Sequence, residues 1–320
     1  MRATSQAQPN IALVKYWGKR DAVSNLPAAG SLSLTLDSLW TRMSVKFDES
    51  GNADALLVNG EEAPAMLPRV SRCLDDIVGV KRPCAMVSSE CNFPIAAGLA
   101  SSASSFAALV VAASHAFGLE SETLEMARSA GRASGSAARS LYAGIVELQL
   151  ADDAIAVASI AAPRDWPLTV TVAITEKSAK KIGSGPAMNI SQQTSPFYKE
   201  WISRQAQDLA NARAAVESRD FAALAAVTEH NCLKMHSVMW SSRPSLVYWN
   251  SATLTCLETV RRLQADGVPA FFTIDAGPQV KIISEPAAAE DVGAALRSTN
   301  GVVDVMQSPL GDGARLLGGK

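Results

Sequence analysis

The sequence predicts an α+β chain of two domains, and three observations carry that expectation. Short alternating apolar–polar segments crowd the first third, alanine-rich stretches of helical length fill much of the second half, and a Pro163-Arg164-Asp165-Trp166-Pro167 break lies between them. Two prolines bracketing polar residues stop regular structure on either side. We therefore divide the chain into residues 1–166 and 167–320. With 320 residues, 48% of them hydrophobic and 19% charged, the chain has material for a large buried core and does not have the composition of a disordered segment.

In chain order, residues 9–18 form a short strand ending in a turn, and a polar loop follows over 19–27. Residues 31–36 and 41–47 alternate with the period of half-buried strands. Residues 55–58 extend the sheet, 68–78 are helical, and 84–90 return as a strand. A small-residue loop then opens an apolar helix that runs to about residue 117. A second helix covers 122–129, with Ser121 as its expected cap. Apolar strands at 144–150 and 154–160 close the first half. Beyond the break come a strand at 168–174 and helices at 196–216, 221–237 and 248–265. Strands at 270–275 and 280–284 flank a Gly277-Pro278 turn, followed by a helix over 286–298 and a strand over 302–307. Few strands among several helices suit an α+β sandwich.

A net charge of −2 supplies no global field for nucleic acid or an anionic membrane, so any anionic ligand must be met by local groups. The five cysteines are scattered without a CxxC pair, which fits reduced thiols in a cytoplasm better than a disulfide framework or a zinc site. The opening MRATSQAQPN has no apolar signal core, and no apolar run approaches the ~20 residues of a membrane span. His115, His230 and His236 are spaced for packing or polar networks, not for a helical metal site.

Four clusters can carry chemistry. The loop at 93–105, with Gly98 for a tight turn and Ser101, Ser102, Ser104 and Ser105 at the helix start, offers free N–H groups and a positive dipole end to a phosphate; an ordinary tight loop before a core helix has the same ingredients. Lys15 and Lys19 bracket Tyr16-Trp17-Gly18, as an anion site or as solvated lysines at a strand end. Ser134, Ser136 and Arg139 place two hydroxyls and a guanidinium within six residues, able to converge on one anion if the segment starts a helix; a flexible linker is the competing reading. Asp275 ends an apolar strand before a tight turn. Partial desolvation there should raise its pKa and make it a base or a partner for positive charge, unless it merely caps the turn.

These stretches in this order resemble the diphosphomevalonate decarboxylases of the GHMP kinase superfamily, over nearly the whole chain. The matching motifs are NIALVKYWGKRD (10–21), SLSLTL (31–36), NFPIAAGLASSAS (92–104), SGSAARS (134–140), TSPFY (194–198) and TIDAGP (273–278). The resemblance implies a GHMP kinase fold: a ribosomal-S5-like N-terminal β/α domain and a ferredoxin-like C-terminal α/β sandwich. It implies ATP- and Mg2+-dependent decarboxylation of mevalonate 5-diphosphate to isopentenyl diphosphate by way of 3-phosphorylation. Carried over by motif, Pro94, Gly98, Leu99, Ala100, Ser101 and Ser102 hold the ATP phosphates, with Ser101 or Ser102 toward magnesium. Asp275, Lys15 and Arg139 form the catalytic centre, with Lys15 and Arg139 keeping Asp275 ionised and Arg139 holding the substrate carboxylate. Asn10 belongs to the substrate-binding set; Tyr16, Lys19, Ser134 and Ser136 contact the 5-diphosphate, and Ser184 lies near the carboxylate and hydroxyl. A cytoplasmic homodimer is implied as well.

The chain departs from the family pattern at several positions, including Ser184-Gly185-Pro186-Ala187-Met188 where the family reads SRDGM. Gly185 stands where the family has an arginine for the 5-diphosphate, Ala138 where it has cysteine, and Gln279 where it has asparagine. Lys180, Lys181 and Arg243 are the candidate replacement cations. Gly185 keeps the same chemistry on mevalonate 5-phosphate in view as an alternative, beside a non-catalytic GHMP-fold binder of small molecules.

Overall fold

Alternation along the chain explains the first layers of a computed structural model, which describes residues 1–93, 101–178 and 180–318. The first half runs β1 (Arg2–Ala7), β2 (Asn10–Val14), β3 (Lys19–Asp21), β4 (Leu26–Pro27), β5 (Ser31–Thr35), β6 (Thr41–Asp48), β7 (Ala55–Val58), β8 (Glu61–Glu62), α1 (Leu67–Val78) and β9 (Cys84–Cys91). It continues with α2 (Ser101–Phe117), α3 (Thr123–Ala133), a 3₁₀ turn (Ala137–Leu141), β10 (Ile145–Ala151) and β11 (Ala154–Ala161). The second half holds β12 (Thr169–Ile174), α4 (Ser184–Thr194), α5 (Tyr198–Ser218), α6 (Phe221–Trp240), α7 (Ser251–Ala265), β13 (Ala270–Ile274) and β14 (Val280–Ser284). A short 3₁₀ turn leads to α8 (Ala289–Arg297), β15 (Asp304–Pro309) and β16 (Arg315–Leu317).

β6 buries Thr41, Met43, Val45 and Phe47 and turns the residues between them outward, the alternation of a one-sided sheet. It lies in a six-stranded sheet ordered β16-β1-β6-β9-β7-β8. α2 covers the inner face and is buried nearly all round, which is why its sequence shows little amphipathic pattern. The second sheet is β11-β10-β5-β2, and the third, from the second half, is β13-β14-β12-β15. Between the second and third sheets lies a shared core: Ile11 and Leu13 of β2 and Leu32 and Leu34 of β5 meet Val170 and Val172 of β12 and Phe271 of β13, with residues of α5 and α6 closing it.

The structure departs from the sequence expectations at several places. The polar loop at 19–27 is the β3–β4 hairpin. Ser31–Thr35 is buried on both faces, not half-buried. Its alternation is real, but the polar face turns inward, where Ser31 and Ser33 meet a buried guanidinium. Ser121 does not cap α3; the cap position is Glu122, and no side chain closes it. β1, α4 and β16 were not foreseen; β16 is the sixth strand of the first sheet, paired with β1. Pro94, Gly98, Leu99 and Ala100 lie outside the described residues.

Phe271 is fully buried in the shared core, its ring 5.1 Å from that of Phe221. Phe271→Ala should lower the unfolding free energy by about 3–5 kcal/mol. A shift of the urea midpoint at constant slope checks it; an unchanged midpoint rules out a load-sharing core at this position.

Candidate active site

Asp275 follows β13, and the β13–β14 register puts Lys281 opposite Thr273, on the face toward β2. β2 leads directly into Lys15. The outcome is a carboxylate between two ammonium groups: Lys15 Nζ donates to Asp275 Oδ1 at 2.6 Å, and Lys281 Nζ lies 3.2 Å from Oδ2. Both lysines are almost wholly buried, while a quarter (25%) of the Asp275 side chain stays open to the cleft. Lys15 Nζ also donates to the Ala12 carbonyl at 2.8 Å.

The expected rise in the Asp275 pKa is reversed. Burial pushes it up, but Lys15 and Lys281 outweigh burial and hold the carboxyl well below the usual aspartate range. Its second charge partner is Lys281, not Arg139. Sequence reasoning missed Lys281, although a lysine inside the apolar run Val280–Ser284 was a visible anomaly.

Arg139, in the 3₁₀ turn, is 2% exposed. Its guanidinium donates to Ser33 Oγ (3.0 Å), Ser31 Oγ (2.7 Å) and Asn10 Oδ1 (3.2 Å). Asn10 is oriented for this, because its amide NH2 is spent on Ser140 Oγ and the Ser136 carbonyl. All three acceptors are neutral, and no carboxylate lies within ion-pair range of Arg139 among the described residues. Burial pulls its pKa down to about 10, opposed by Asp275 and Tyr16. Arg139, Ser134 and Ser136 all line the same cleft, as their spacing allowed.

That cleft encloses about 1120 Å³. At one end Ser134 Oγ meets Ser102 Oγ (3.3 Å) and Ser136 Oγ (3.5 Å), which ties the 134–136 turn to the start of α2. Ser101 opens that helix, and its carbonyl accepts from Ser104 Oγ. Tyr16 packs over Gly135, where an added Cβ would stand 2.5 Å from the phenol oxygen. Gly18, at φ +117, leaves room in the same way for the Tyr198 hydroxyl. Burial pushes the Tyr16 phenol up to about 12.

Lys19 lines the cleft beside Arg69 and Arg72 of α1 and Arg132 of α3, three arginines that the sequence reading did not single out. Burial and Arg69 both lower the Lys19 pKa. Arg69 donates to the Ala133 carbonyl, and Arg132 has Asp76 3.9 Å away. On the far wall Ser184 begins α4, and its Oγ accepts from Lys180 Nζ at 2.7 Å. Burial, with Lys281 adding to it, pushes Lys180 down to about 8. Of the three candidate replacement cations only Lys180 lines the cleft, and Gly185 beside it faces open space.

A serine-started helix on one sheet layer, joined to a second sandwich that delivers an acidic turn, is the GHMP kinase fold. Two family descriptions span the chain: a diphosphomevalonate decarboxylase-like N-terminal domain at residues 7–161 and a mevalonate 5-diphosphate decarboxylase C-terminal domain at 170–311. The diphosphomevalonate decarboxylase of Homo sapiens is 34% identical over 311 residues, 88% of this chain and 76% of that protein. The crystal structure of mevalonate diphosphate decarboxylase from Staphylococcus aureus superposes with a TM-score of 0.92 at 31% identity, covering 99% of this chain and 98% of the other. MDDEF in complex with MVAPP, AMPPCP and magnesium superposes with a TM-score of 0.91, also at 31% identity, over 99% of each chain. The chain belongs to the diphosphomevalonate decarboxylase family.

The low proton affinity of Asp275 has a thermodynamic consequence. In the unfolded chain its pKa returns to the usual 3.8, above the folded value. Its contribution to stability is thus present above that unfolded value and is lost as pH falls through the folded one. The melting temperature of Asp275→Asn should lie furthest below wild type near neutrality, and the gap should close as pH drops below about 4. A gap that stays constant with pH rules out an ionised, lysine-held carboxylate.

Proposed function

We propose that the cleft catalyses ATP-dependent decarboxylation of mevalonate 5-diphosphate to isopentenyl diphosphate, with ADP, phosphate and CO2 released after phosphorylation of the C3 hydroxyl. The observation that carries this reading is Asp275 clamped between Lys15 and Lys281 while the buried Arg139 has, among the described residues, neutral hydrogen-bond acceptors. Family membership and the similarity to MDDEF in complex with MVAPP, AMPPCP and magnesium support it.

Arg139 receives the C1 carboxylate of the substrate, a charged partner beside its neutral hydrogen-bond acceptors. The 5-diphosphate lies at the cationic end, against Tyr16, Lys19, Ser134 and Ser136, with Arg69 adding charge. Asn10 orients Arg139, and Ser184 reaches the carboxylate and hydroxyl region. The ATP phosphates occupy the start of α2, at Ser101 and Ser102. Magnesium favours hard oxygen donors, and the paired Ser102 and Ser134 hydroxyls at that helix start fit it; there it would neutralise phosphate charge. A tertiary alcohol is a poor nucleophile, so positioning of the hydroxyl against the phosphate carries the first step. Departure of the C3 phosphate builds positive charge at C3. Asp275, whose proton affinity the two lysines suppress, is suited to stand there as a fixed negative charge and poorly suited to take up a proton.

We divide these tasks between residues 1–166, which hold the nucleotide, and 167–320, which complete the substrate site. No helix among the described residues is long and apolar enough to cross a membrane. The five free cysteines fit a cytoplasmic setting, and the family resemblance a homodimer.

Asp275→Asn should retain ATP and mevalonate 5-diphosphate binding by calorimetry while turnover falls by orders of magnitude, with ADP and CO2 followed separately. Near-normal turnover overturns the assignment, and ADP without CO2 in the wild type makes the protein a kinase. Gly185→Arg tests the diphosphate end, because a side chain there enters open space. A restored guanidinium–phosphate bond, worth about 1.5–3 kcal/mol, should lower the KM for the 5-diphosphate at least tenfold and leave kcat nearly unchanged. An unchanged KM places the diphosphate away from residue 185.

A further inference from the structure

We propose that Asn231 and Gln205, oriented by the Asp208–Lys234 ion pair, are positioning residues that fix the backbone of Lys15 and so hold its ammonium group on Asp275. This rests on the active-site reading above and extends it to residues remote from the reacting atoms.

Lys15 lies just beyond β2, where the regular strand ladder has ended. Its two backbone groups are instead gripped by side chains from two helices. The Lys15 N–H donates to Asn231 Oδ1 of α6 at 2.8 Å, and the Lys15 carbonyl accepts from Gln205 Nε2 of α5 at 2.9 Å. One helical turn earlier on α5, Trp201 Nε1 donates to the Trp17 carbonyl at 2.8 Å, so the same helix face holds the next carbonyl on that side of the chain. The segment that carries the catalytic lysine is therefore clamped where a ladder would otherwise define it.

The polarity of the clamp is forced from one end. Asn231 Nδ2 donates both to Gln205 Oε1 (2.6 Å) and to Asp208 Oδ2 (2.6 Å), and Lys234 Nζ lies 2.6 Å from the same carboxylate oxygen. An ionised carboxylate only accepts, so Asn231 must turn its NH2 toward Asp208 and its oxygen toward Lys15. Gln205, whose oxygen is taken by Asn231, must then offer its NH2 to the Lys15 carbonyl. Reversing either amide would set donor against donor at Lys15 N–H or oxygen against oxygen at its carbonyl. Asn231 is 0% exposed and Gln205 1%, so water is kept from substituting for these bonds. One surface-side ion pair thus dictates, through two buried amides, where the Lys15 backbone sits and from where its side chain reaches Asp275.

The test uses the full chain with ATP and mevalonate 5-diphosphate, following CO2. Gln205→Met removes the hydrogen bonds to the Lys15 carbonyl and from Asn231 at similar volume; Asn231→Asp keeps the acceptor for Lys15 but sets a carboxylate against Asp208 and the Gln205 oxygen. Each should lower kcat by about 10- to 100-fold with KM for both substrates little changed, as expected of a displaced catalytic group. If Asn231→Asp does not fold, Gln205→Met alone decides. Wild-type kcat in the folded variants, or a change confined to KM, overturns the proposal. Lys15→Met separates it from the reading beneath: normal turnover there overturns the active-site assignment, whereas an inactive Lys15→Met beside fully active Gln205→Met and Asn231→Asp overturns the positioning role alone.

Discussion

Three charges from three places in the chain, the buried Lys15 and Lys281 and the partly open Asp275, set the terms for the rest of the molecule. Two buried ammonium groups converge on one carboxylate that keeps a quarter (25%) of its side chain open to the cleft, and burying such charge is costly unless partners offset it. Thr273 Oγ1 bonds the Ala12 carbonyl beside this cluster, so the polar centre lies on the same seam where β2 and β5 pack against β12 and β13. The apolar core fixes the seam; the ion cluster gives it a direction and a chemical use. Lys180 and Arg139 stand nearby with depressed pKa values, each mainly because of burial. The free protein thus carries a concentration of positive charge that the overall charge of −2 conceals. Such a centre is organised in advance for an anionic substrate and does not have to rearrange around it.

Much of this was legible in the sequence where local patterns decide. The alternation in β6, the apolar run of α2 and the turn after β13 each follow from residue spacing, and the structure realises them. Asp275, Lys15 and Arg139 were identified by motif and do line one cleft. What the sequence hid is set by tertiary neighbours. Asp275 was expected to have a raised pKa because burial was visible in its flanking residues, while Lys281 lies six positions downstream in what reads as an apolar strand. Arg69, Arg72 and Arg132 look like solvated charges on helix faces, and only the packing of α1 and α3 beside the cleft turns them toward it. Ser31 and Ser33 look like the outward face of a strand, yet they solvate Arg139 from within.

The cleft is also asymmetric. Its α1–α3 side carries three arginines and Lys19, whereas the α4 side offers Lys180 and an open space at Gly185. The cationic side chains of the cleft are thus concentrated on one wall, with guanidinium groups from two neighbouring helices.

The return of β16 to the first sheet has a mechanical meaning. Residues 315–317 pair with β1 after the chain has built the whole second sandwich, and Gly311 bonds back to Thr35 on the way. The two halves are therefore joined twice: covalently through residues 162–168, and again by a hydrogen-bonded strand at the far end of the second half. They behave less like beads on a string than like a buckled strap. Cutting the Pro163–Pro167 connection would leave two fragments still fastened, because the second piece keeps a strand in the sheet of the first. The seam that carries Lys15 and Asp275 joins the same two halves, so its opening is limited to what a doubly anchored pair of layers permits.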